Sequence, residues 1–347
     1  MNYSEPQKAL KFFDIKENII NVSRIDKGLI NETYLVKTTG QNYLLQKLHR
    51  VLKPSVLYDI HETTTVLHNK NITTPLLIKT LKGELGLNLP SGHWRVLTFI
   101  SGICLENGLN TKQAYSAGRL LGKFHDTLSE HNYIFKHQIK NFHNTEKIIT
   151  YFKKLLKNLP DVSRYNEIIA TGRDMISFYE KMDKKINSLP NRTIHGDPKI
   201  NNIVFTTDKK EALCLLDLDT LGKNKIILDI GDAARTWCND ANEDDIKNSK
   251  FNPKTLKQMV RGYAETASFI TNAELKAIVE GIETILIEQI SRFLTDAIEE
   301  SYYTLQKEKY DSLYTQNKTK AMAQVKLFYD FQNHKPEVIQ FLNSLIK

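Results

Sequence analysis

The chain has 347 residues, 41% hydrophobic and 25% charged, an ordinary globular composition with enough length for two lobes around a cleft. Its formal charge is +8, but 48 Lys and Arg are interleaved with 40 Asp and Glu and form no basic arm or recognition helix, so nucleic acid is not an expected partner. No apolar run approaches the roughly 20 residues that span a bilayer, no basic-then-apolar leader opens the chain, and Cys104, Cys214 and Cys238 have neither disulfide nor metal spacing; a cytoplasmic protein without membrane contact is expected.

In chain order, Ile20, Val22 and Ile25 alternate as a strand. Tyr34-Leu35-Val36 follows as a second, then a turn over 38–42, then Tyr43-Leu44-Leu45 as a third. Residues 54–70 place Val56, Ile60, Thr63/Thr64 and Leu67 on one helical face. Two more strands are predicted over 75–78 and 94–100, around a turn at Gly83-Glu84. After Gly102 the pattern turns helical, with Ala114, Ala117/Gly118, Leu121, Phe124/His125 and Leu128 at helical spacing. Further helices are predicted over 145–158, 165–188, 254–267, 273–303 and 317–331. The expected fold class is α+β: a small antiparallel-sheet lobe over 1–101, a hinge near Ser101-Gly102, and a larger, mainly helical lobe over 102–347. The element order is that of a protein-kinase-like bilobal fold.

Between these helices lies His195-Gly196-Asp197-Pro198-Lys199-Ile200-Asn201-Asn202, flanked by Ile194 and Ile203-Val204-Phe205. Fifteen residues past Asn202, the apolar run Leu213-Cys214-Leu215-Leu216 delivers Asp217-Leu218-Asp219. Two short strands joined by a tight turn bring Asp197, Asn202 and Asp217 together. Phosphoryl transfer to a hydroxyl needs such a set: one carboxylate to orient the hydroxyl and accept its proton, and hard oxygens to hold Mg²⁺ against a triphosphate. Protein kinases also place an Asn five residues after the catalytic Asp, and a metal-binding Asp on the next hairpin. Asp197 is therefore the expected catalytic base, and Asn202 and Asp217 the metal ligands. Asp219 lies on the same strand face as Asp217; it touches substrate, helps a second metal, or holds the turn. Asp229 is expected to tie the metal loop, and Asp232 with Arg235 to mark a helix start.

The His-Gly-Asp segment, the Asn five residues on and the strand ending in Asp resemble the aminoglycoside phosphotransferase and choline kinase superfamily. The chain looks most similar to its N-acetylhexosamine 1-kinase-like sugar kinases. That likeness rests on Gly28-Leu29-Ile30-Asn31-Glu32-Thr33-Tyr34, Tyr43-Leu44-Leu45-Gln46-Lys47, Trp94-Arg95, Phe142-His143, Leu216-Asp217-Leu218-Asp219-Thr220, Asp229-Ile230-Gly231-Asp232 with Arg235, and Arg292-Phe293-Leu294-Thr295-Asp296.

The resemblance implies an ATP- and Mg²⁺-dependent kinase, monomeric or homodimeric, acting on a sugar or amino sugar at its anomeric hydroxyl. It implies that His195 fixes the catalytic loop rather than moving a proton. It implies a nucleotide-phosphate loop at 28–33, with Asn31 and Thr33 as phosphate donors. On the third strand either Gln46 or Lys47 faces the phosphates, and Glu62 is either an ion-pair partner for Lys47 or a solvated charge. Thr98, Phe99 and Ile100 are the implied adenine hinge. His143, Asp219, Arg292 and Asp296 are the implied acceptor residues, although Arg292 and Asp296, four apart on one helix face, could equally pair with each other. The chain departs from the sugar-kinase pattern at Glu300-Ser301-Tyr302-Tyr303, where Gly-Asp and then Tyr-Phe are usual. It departs again at Leu221-Gly222-Lys223, where Met-Pro-Gly is usual. Alternative acceptors are another small alcohol, such as an aminoglycoside, choline, homoserine or methylthioribose. A catalytically silent nucleotide-binding scaffold is the alternative of another class.

Overall fold

A computed structural model of the chain describes residues 4–25, 31–160 and 162–346. The Gly28-Leu29-Ile30 part of the expected phosphate loop lies outside the described residues.

The chain opens with a short helix, α1 (Glu5–Leu10), which the sequence pattern did not predict. Strands β1 (Ile19–Ile25), β2 (Glu32–Thr38) and β3 (Tyr43–Lys47) form an antiparallel meander. Helix α2 (Val56–Asn69) follows, then β4 (Leu77–Ile78), β5 (Leu87–Leu89) and β6 (Gly92–Thr98). The sheet order is β1-β2-β3-β6-β4, with β5 also on β6, and every pair is antiparallel. Its own core is small: Ala9, Leu10, Phe13, Val36, Tyr43, Leu45, Trp94 and Val96.

Strand β7 (Ile103–Cys104) carries the chain into a second sheet by pairing with β9 (Ile203–Phe205), which also pairs with β10 (Ala212–Leu215). Strands β8 (Arg192–Ile194) and β11 (Gly222–Asn224) make a separate pair at the root of the catalytic loop. The rest is helical: α3 (Thr111–Ser129), α4 (Thr145–Lys157), α5 (Asn166–Lys181), α6 (Ile226–Trp237), α7 (Pro253–Thr266), α8 (Asn272–Lys276), α9 (Ile278–Glu299) and α10 (Leu313–Ser344). The architecture is the antiparallel-sheet lobe and helical lobe expected from the sequence.

Three boundaries differ from the predicted ones for local reasons. The helix expected over 165–188 stops at Lys181, because Lys184 adopts a left-handed conformation (φ 52°) before a 3-10 turn. The helix expected over 273–303 is two helices, and its second part ends where Glu300 turns left-handed (φ 48°). Asp232 does not start a helix: α6 begins at Ile226 and holds the Asp232–Arg235 pair inside it. Helix α9 is the axis of the lobe, buried along most of its length. It crosses α6 so closely that a Cβ on Gly231 would lie 2.5 Å from the Gly281 carbonyl oxygen.

Candidate active site

The catalytic loop leaves β8 at His195 and is pinned from several directions. Asp229, on the first turn of α6, accepts the His195 N–H at 2.6 Å and the Gly196 N–H at 2.8 Å. His125 on α3 supports the same carboxylate at 2.9 Å and meets the Tyr263 hydroxyl at 2.9 Å through its other nitrogen. Burial raises the Asp229 carboxyl, but these donors outweigh it and hold it below its ordinary range. Gly196 has φ +90°, and a Cβ there would come within 2.6 Å of the Thr220 carbonyl oxygen, so only glycine fits. The buried His195 lies 2.9 Å from the Leu216 carbonyl through Nε2, tying the loop to the hairpin. Burial lowers its affinity for a proton.

This scaffold presents three functional groups. Asp197 is partly exposed, with Lys199 in direct contact with its Oδ2. Burial lowers the Lys199 amine, but the Asp197 and Asp217 carboxylates outweigh it and hold it above its ordinary range. Asn202 is buried; its Nδ2 donates to the Asp197 carbonyl at 2.8 Å and to Asp197 Oδ2 at 3.2 Å, and its Oδ1 has no hydrogen-bond partner among the described residues. The Leu216 N–H donates to the Asn202 carbonyl at 2.8 Å and so sets Asp217 beside Asn202. Asp217 sits in a left-handed conformation, φ 62°, ψ 59°, an unusual backbone for a non-glycine residue. Its carboxylate has no hydrogen bond or ion pair among the described residues. Burial, with the Asp219 and Asp197 charges, pushes its carboxyl up to about 7.

The sheet lobe contributes a closed network. Thr33, Gln46 and Arg95 are register partners across β2, β3 and β6, so their side chains line up on one face. Gln46 Nε2 donates to Thr33 Oγ1 at 3.1 Å, and Arg95 Nε donates to Gln46 Oε1 at 2.8 Å. The Arg95 guanidinium then makes a bidentate pair with Asp219, at 2.5 and 2.9 Å. Asn31 Nδ2 adds a third donor to Asp219 at 2.8 Å, and Asn31 Oδ1 is held by the His49 N–H at 2.9 Å. Arg95 and Asp219 are both buried.

The next row of the sheet, Glu32, Lys47 and Trp94, faces the other way: Lys47 lies 3.8 Å from Glu32, 4.0 Å from Glu5 and 5.7 Å from the Trp94 ring. Gln46 is therefore the cleft-facing residue of the pair. Glu62 sits near His131 at 3.2 Å on the solvent side of α2 and does not meet Lys47. At the hinge, the Thr98 N–H is taken by Leu76 and the Phe99 N–H by Asn42, while the Ile100 N–H has no backbone partner among the described residues.

The helical lobe places the expected acceptor residues at three different jobs. His143, left-handed at φ 50°, is buried under the loop, 2.6 Å from the Gly196 carbonyl and 3.0 Å from Glu288. Burial disfavours the imidazolium, yet the Glu288 carboxylate outweighs it and raises the ring to about 9. Both ring nitrogens then donate, and His143 anchors the loop. Asp296 accepts the Ser301, Tyr302 and Tyr303 N–H groups at 2.9, 2.7 and 3.1 Å, and Asn317 Nδ2 at 2.8 Å. Its oxygens are spent on the turn after α9, so the intrahelical pair with Arg292 does not form. Arg292 has no carboxylate within 4.0 Å among the described residues. Its guanidinium lies 5.7 Å from the Phe142 ring and 5.6 Å from the Tyr302 ring, with the Tyr302 hydroxyl at 3.5 Å.

The comparisons with known proteins agree with this fold. The pattern that describes the phosphotransferase enzyme family matches residues 21–265. The chain belongs to that family. It is a small-molecule phosphotransferase acting on a hydroxyl group. A homoserine kinase of Parvibaculum lavamentivorans is 20% identical over 287 residues, 79% of each chain. The aminoglycoside phosphotransferase of Alicyclobacillus acidocaldarius has a similar fold, with TM-score 0.65, 12% identity and 98% of each chain covered. So does the amicoumacin kinase hAmiN, solved with AMP-PNP and Ca²⁺, with TM-score 0.63, 14% identity, and 93% of this chain and 94% of that one covered. No helix among the described residues is long and apolar enough to cross a membrane.

Sequence reasoning missed the work of Arg95, Lys199 and Glu288. Lys199 stands two residues from Asp197 and was open to inspection. Arg95 is opposite Gln46 only once the β3–β6 register is known. Glu288 is a carboxylate on a buried helix stripe, a position that itself asks for a partner.

Proposed function

We propose that this phosphotransferase moves the γ-phosphoryl group of Mg²⁺-ATP to a hydroxyl of a sugar or amino sugar. The observation that carries the transfer is the grouping of Asp197 with two oxygen ligands that have no hydrogen-bond partner among the described residues, Asn202 Oδ1 and the Asp217 carboxylate. A divalent cation would neutralise charge on the triphosphate and needs hard oxygen ligands. The residues fit that need: an amide oxygen without a partner among the described residues stands on the loop next to a carboxylate whose ionisation is opposed by burial and by the Asp219 and Asp197 charges. No group of three or more His, Cys, Asp or Glu gathers among the described residues, so phosphate oxygens and water would complete the shell. Asp197 orients the acceptor hydroxyl and takes its proton as the new P–O bond forms and the β–γ bridging bond breaks. Lys199 holds the Asp197 carboxylate and adds positive charge where the transferred group arrives. Asn31 and Thr33 lie on the nucleotide side, Ile100, whose N–H has no backbone partner among the described residues, offers a hinge donor, and the clasped Asp219 fixes the turn that carries Asp217.

The acceptor class rests on Arg292. A guanidinium between two aromatic faces, with no carboxylate within 4.0 Å among the described residues, suits a polar hydroxylated ring and repels a cationic acceptor such as choline or an aminoglycoside. The same free guanidinium also fits a carboxylate, which makes a hydroxylated amino acid the second reading. ADP release measured over sugars, amino sugars, hydroxy amino acids, amino alcohols and aminoglycosides tests both, with phosphorus NMR to place the phosphate; transfer to the C1 hydroxyl of an N-acetylhexosamine or a related hexose is expected. A cationic acceptor that outperforms every sugar overturns the acceptor class. Absence of ADP release with any acceptor favours the silent scaffold.

A further inference from the structure

A cavity of about 330 Å³ lies apart from the catalytic groups, between the start of α4, the end of α5, the β8–β11 pair and the start of α9. Asp197, Asn202 and Asp217 do not line it; Lys184, Lys223 and Lys225 do. Each lysine nitrogen meets only neutral groups. Lys184 lies 4.8 Å from the Tyr179 ring. Lys223 donates to Thr193 Oγ1 at 2.9 Å and to the His131 carbonyl at 3.1 Å, and Lys225 donates to the Leu189 carbonyl. None has a carboxylate within 4.0 Å among the described residues.

Two acids share the lining. Glu146 is exposed, and Glu280 is occupied by the Ile186 N–H at 2.9 Å, with burial pushing its carboxyl up toward the neutral form. Thr145 and Glu146, in the first turn of the 13-residue α4, bring a helix N-terminus to the same space. A further observation points to a ligand: Thr284, also in the wall, is 4% exposed and its hydroxyl has no hydrogen-bond partner among the described residues. The remaining polar wall is amide, from Asn144, Asn187, Asn191 and Asn224, which supplies donors and acceptors suited to hydroxyls. The volume lies in the range of small-molecule sites, about 300–1,000 Å³.

We propose that this cavity binds a phosphate monoester of a small hydroxylated compound, and that its occupant acts on the catalytic loop through His143. The lysines and the α4 N-terminus take the phosphate, and the asparagines take the hydroxyls. His143 lines the cavity and holds the Gly196 carbonyl next to Asp197, while its own carbonyl is 3.4 Å from Asn224 Nδ2. An occupant that shifts Asn224 or the 143–145 segment therefore shifts the loop.

The test is calorimetric titration of the full chain, saturated with Mg²⁺ and a nonhydrolysable ATP analogue, with D-glucose 6-phosphate, inorganic phosphate and D-glucose as separate arms. The sugar phosphate should bind one-to-one, phosphate alone more weakly, and glucose without response to the cavity variants. Lys184→Gln with Lys223→Gln should weaken sugar-phosphate binding by about tenfold or more, the worth of a charged hydrogen bond. Thr284→Val should weaken it less, and Arg292→Ala should leave it unchanged. If the double variant does not fold, Lys184→Gln alone serves, since the Lys184 amine makes no hydrogen bond or ion pair among the described residues. Binding abolished by Arg292→Ala and untouched by the lysine changes would move the ligand to the acceptor cleft and overturn the site. So would no saturable binding. The occupied protein should also differ in kcat from the empty one, and an identical kcat would overturn the link to the loop.

Discussion

The two faces of the cleft are built on opposite rules. On the sheet side, the polar side chains of the β2–β3–β6 row are matched by one another and by Asp219: Thr33 to Gln46, Gln46 to Arg95, Arg95 and Asn31 to Asp219. On the helical side, polar atoms are left over. Among the described residues, Asp217 has no donor, Asn202 Oδ1 has no hydrogen-bond partner, Arg292 has no carboxylate within 4.0 Å, and Asp232 buries Oδ2 without a partner. Buried polar groups are nearly always satisfied in folded proteins. A face that violates this rule several times marks where ligands complete the structure, and a face that obeys it throughout marks where the structure holds itself.

The contrast can be broken from the unsatisfied side first. Asp197→Asn should lower kcat by about 10²–10⁴, the range for losing a positioned base, with no change in the unfolding temperature; a near wild-type rate would remove Asp197 from its role. Asn202→Ala or Asp217→Ala should shift the Mg²⁺ activation curve about 10–100-fold upward or abolish activity. An unchanged Mg²⁺ dependence in both variants would leave the metal without its proposed ligands.

The satisfied side should answer in stability instead. Arg95→Gln leaves Asp219 buried and uncompensated and should cost about 3–5 kcal/mol in denaturant unfolding. A double-mutant cycle with Asp219→Asn should recover much of that loss. His143 belongs to the same class. Its ring rises from an ordinary value of 6.5 to about 9 on folding, so the stability it adds is fully present below about 6.5 and lost as pH rises through about 9. On the order of 3 kcal/mol should therefore disappear across that window, and the loss should be absent from His143→Gln. Arg292→Ala is the smallest expected effect: a rise in acceptor KM of roughly 10–150-fold, equivalent to about 1.5–3 kcal/mol, with KM for ATP much less affected. Equal changes in both would place Arg292 outside the acceptor site.

The motif around Asp197 was legible because its parts are close in sequence, so spacing alone carries the geometry. Asp229 was legible only as an anchor at the start of the next element: it was expected to tie the metal loop, and it holds the catalytic loop at His195 and Gly196 instead. The sheet-side network was not. Whether Gln46 or Lys47 faces the cleft depends on strand register, and Arg95 joins only when β6 is laid beside β3. The Arg292 and Asp296 spacing allowed an ion pair, but the turn at Glu300 brings three backbone N–H groups to Asp296 and outcompetes the arginine. Helix α10 was predicted at less than half its length, since Pro336 and a polar surface hide its continuation. Tertiary packing, rather than local pattern, sustains it.

The Arg95–Asp219 clasp also limits how this chain can change over time. Either residue alone, replaced by a neutral one, strands a charge in the interior, whereas replacing both together need not. A descendant that dispenses with the pair must therefore cross an unstable single-substitution stage or change both positions at once, although they stand 124 residues apart in the sequence. Gln46 and Asn31, which grip the same two side chains, inherit that constraint. These four positions are expected to drift as one unit, while Arg292, with no carboxylate within 4.0 Å among the described residues, is free to be retuned for a new acceptor in a single step.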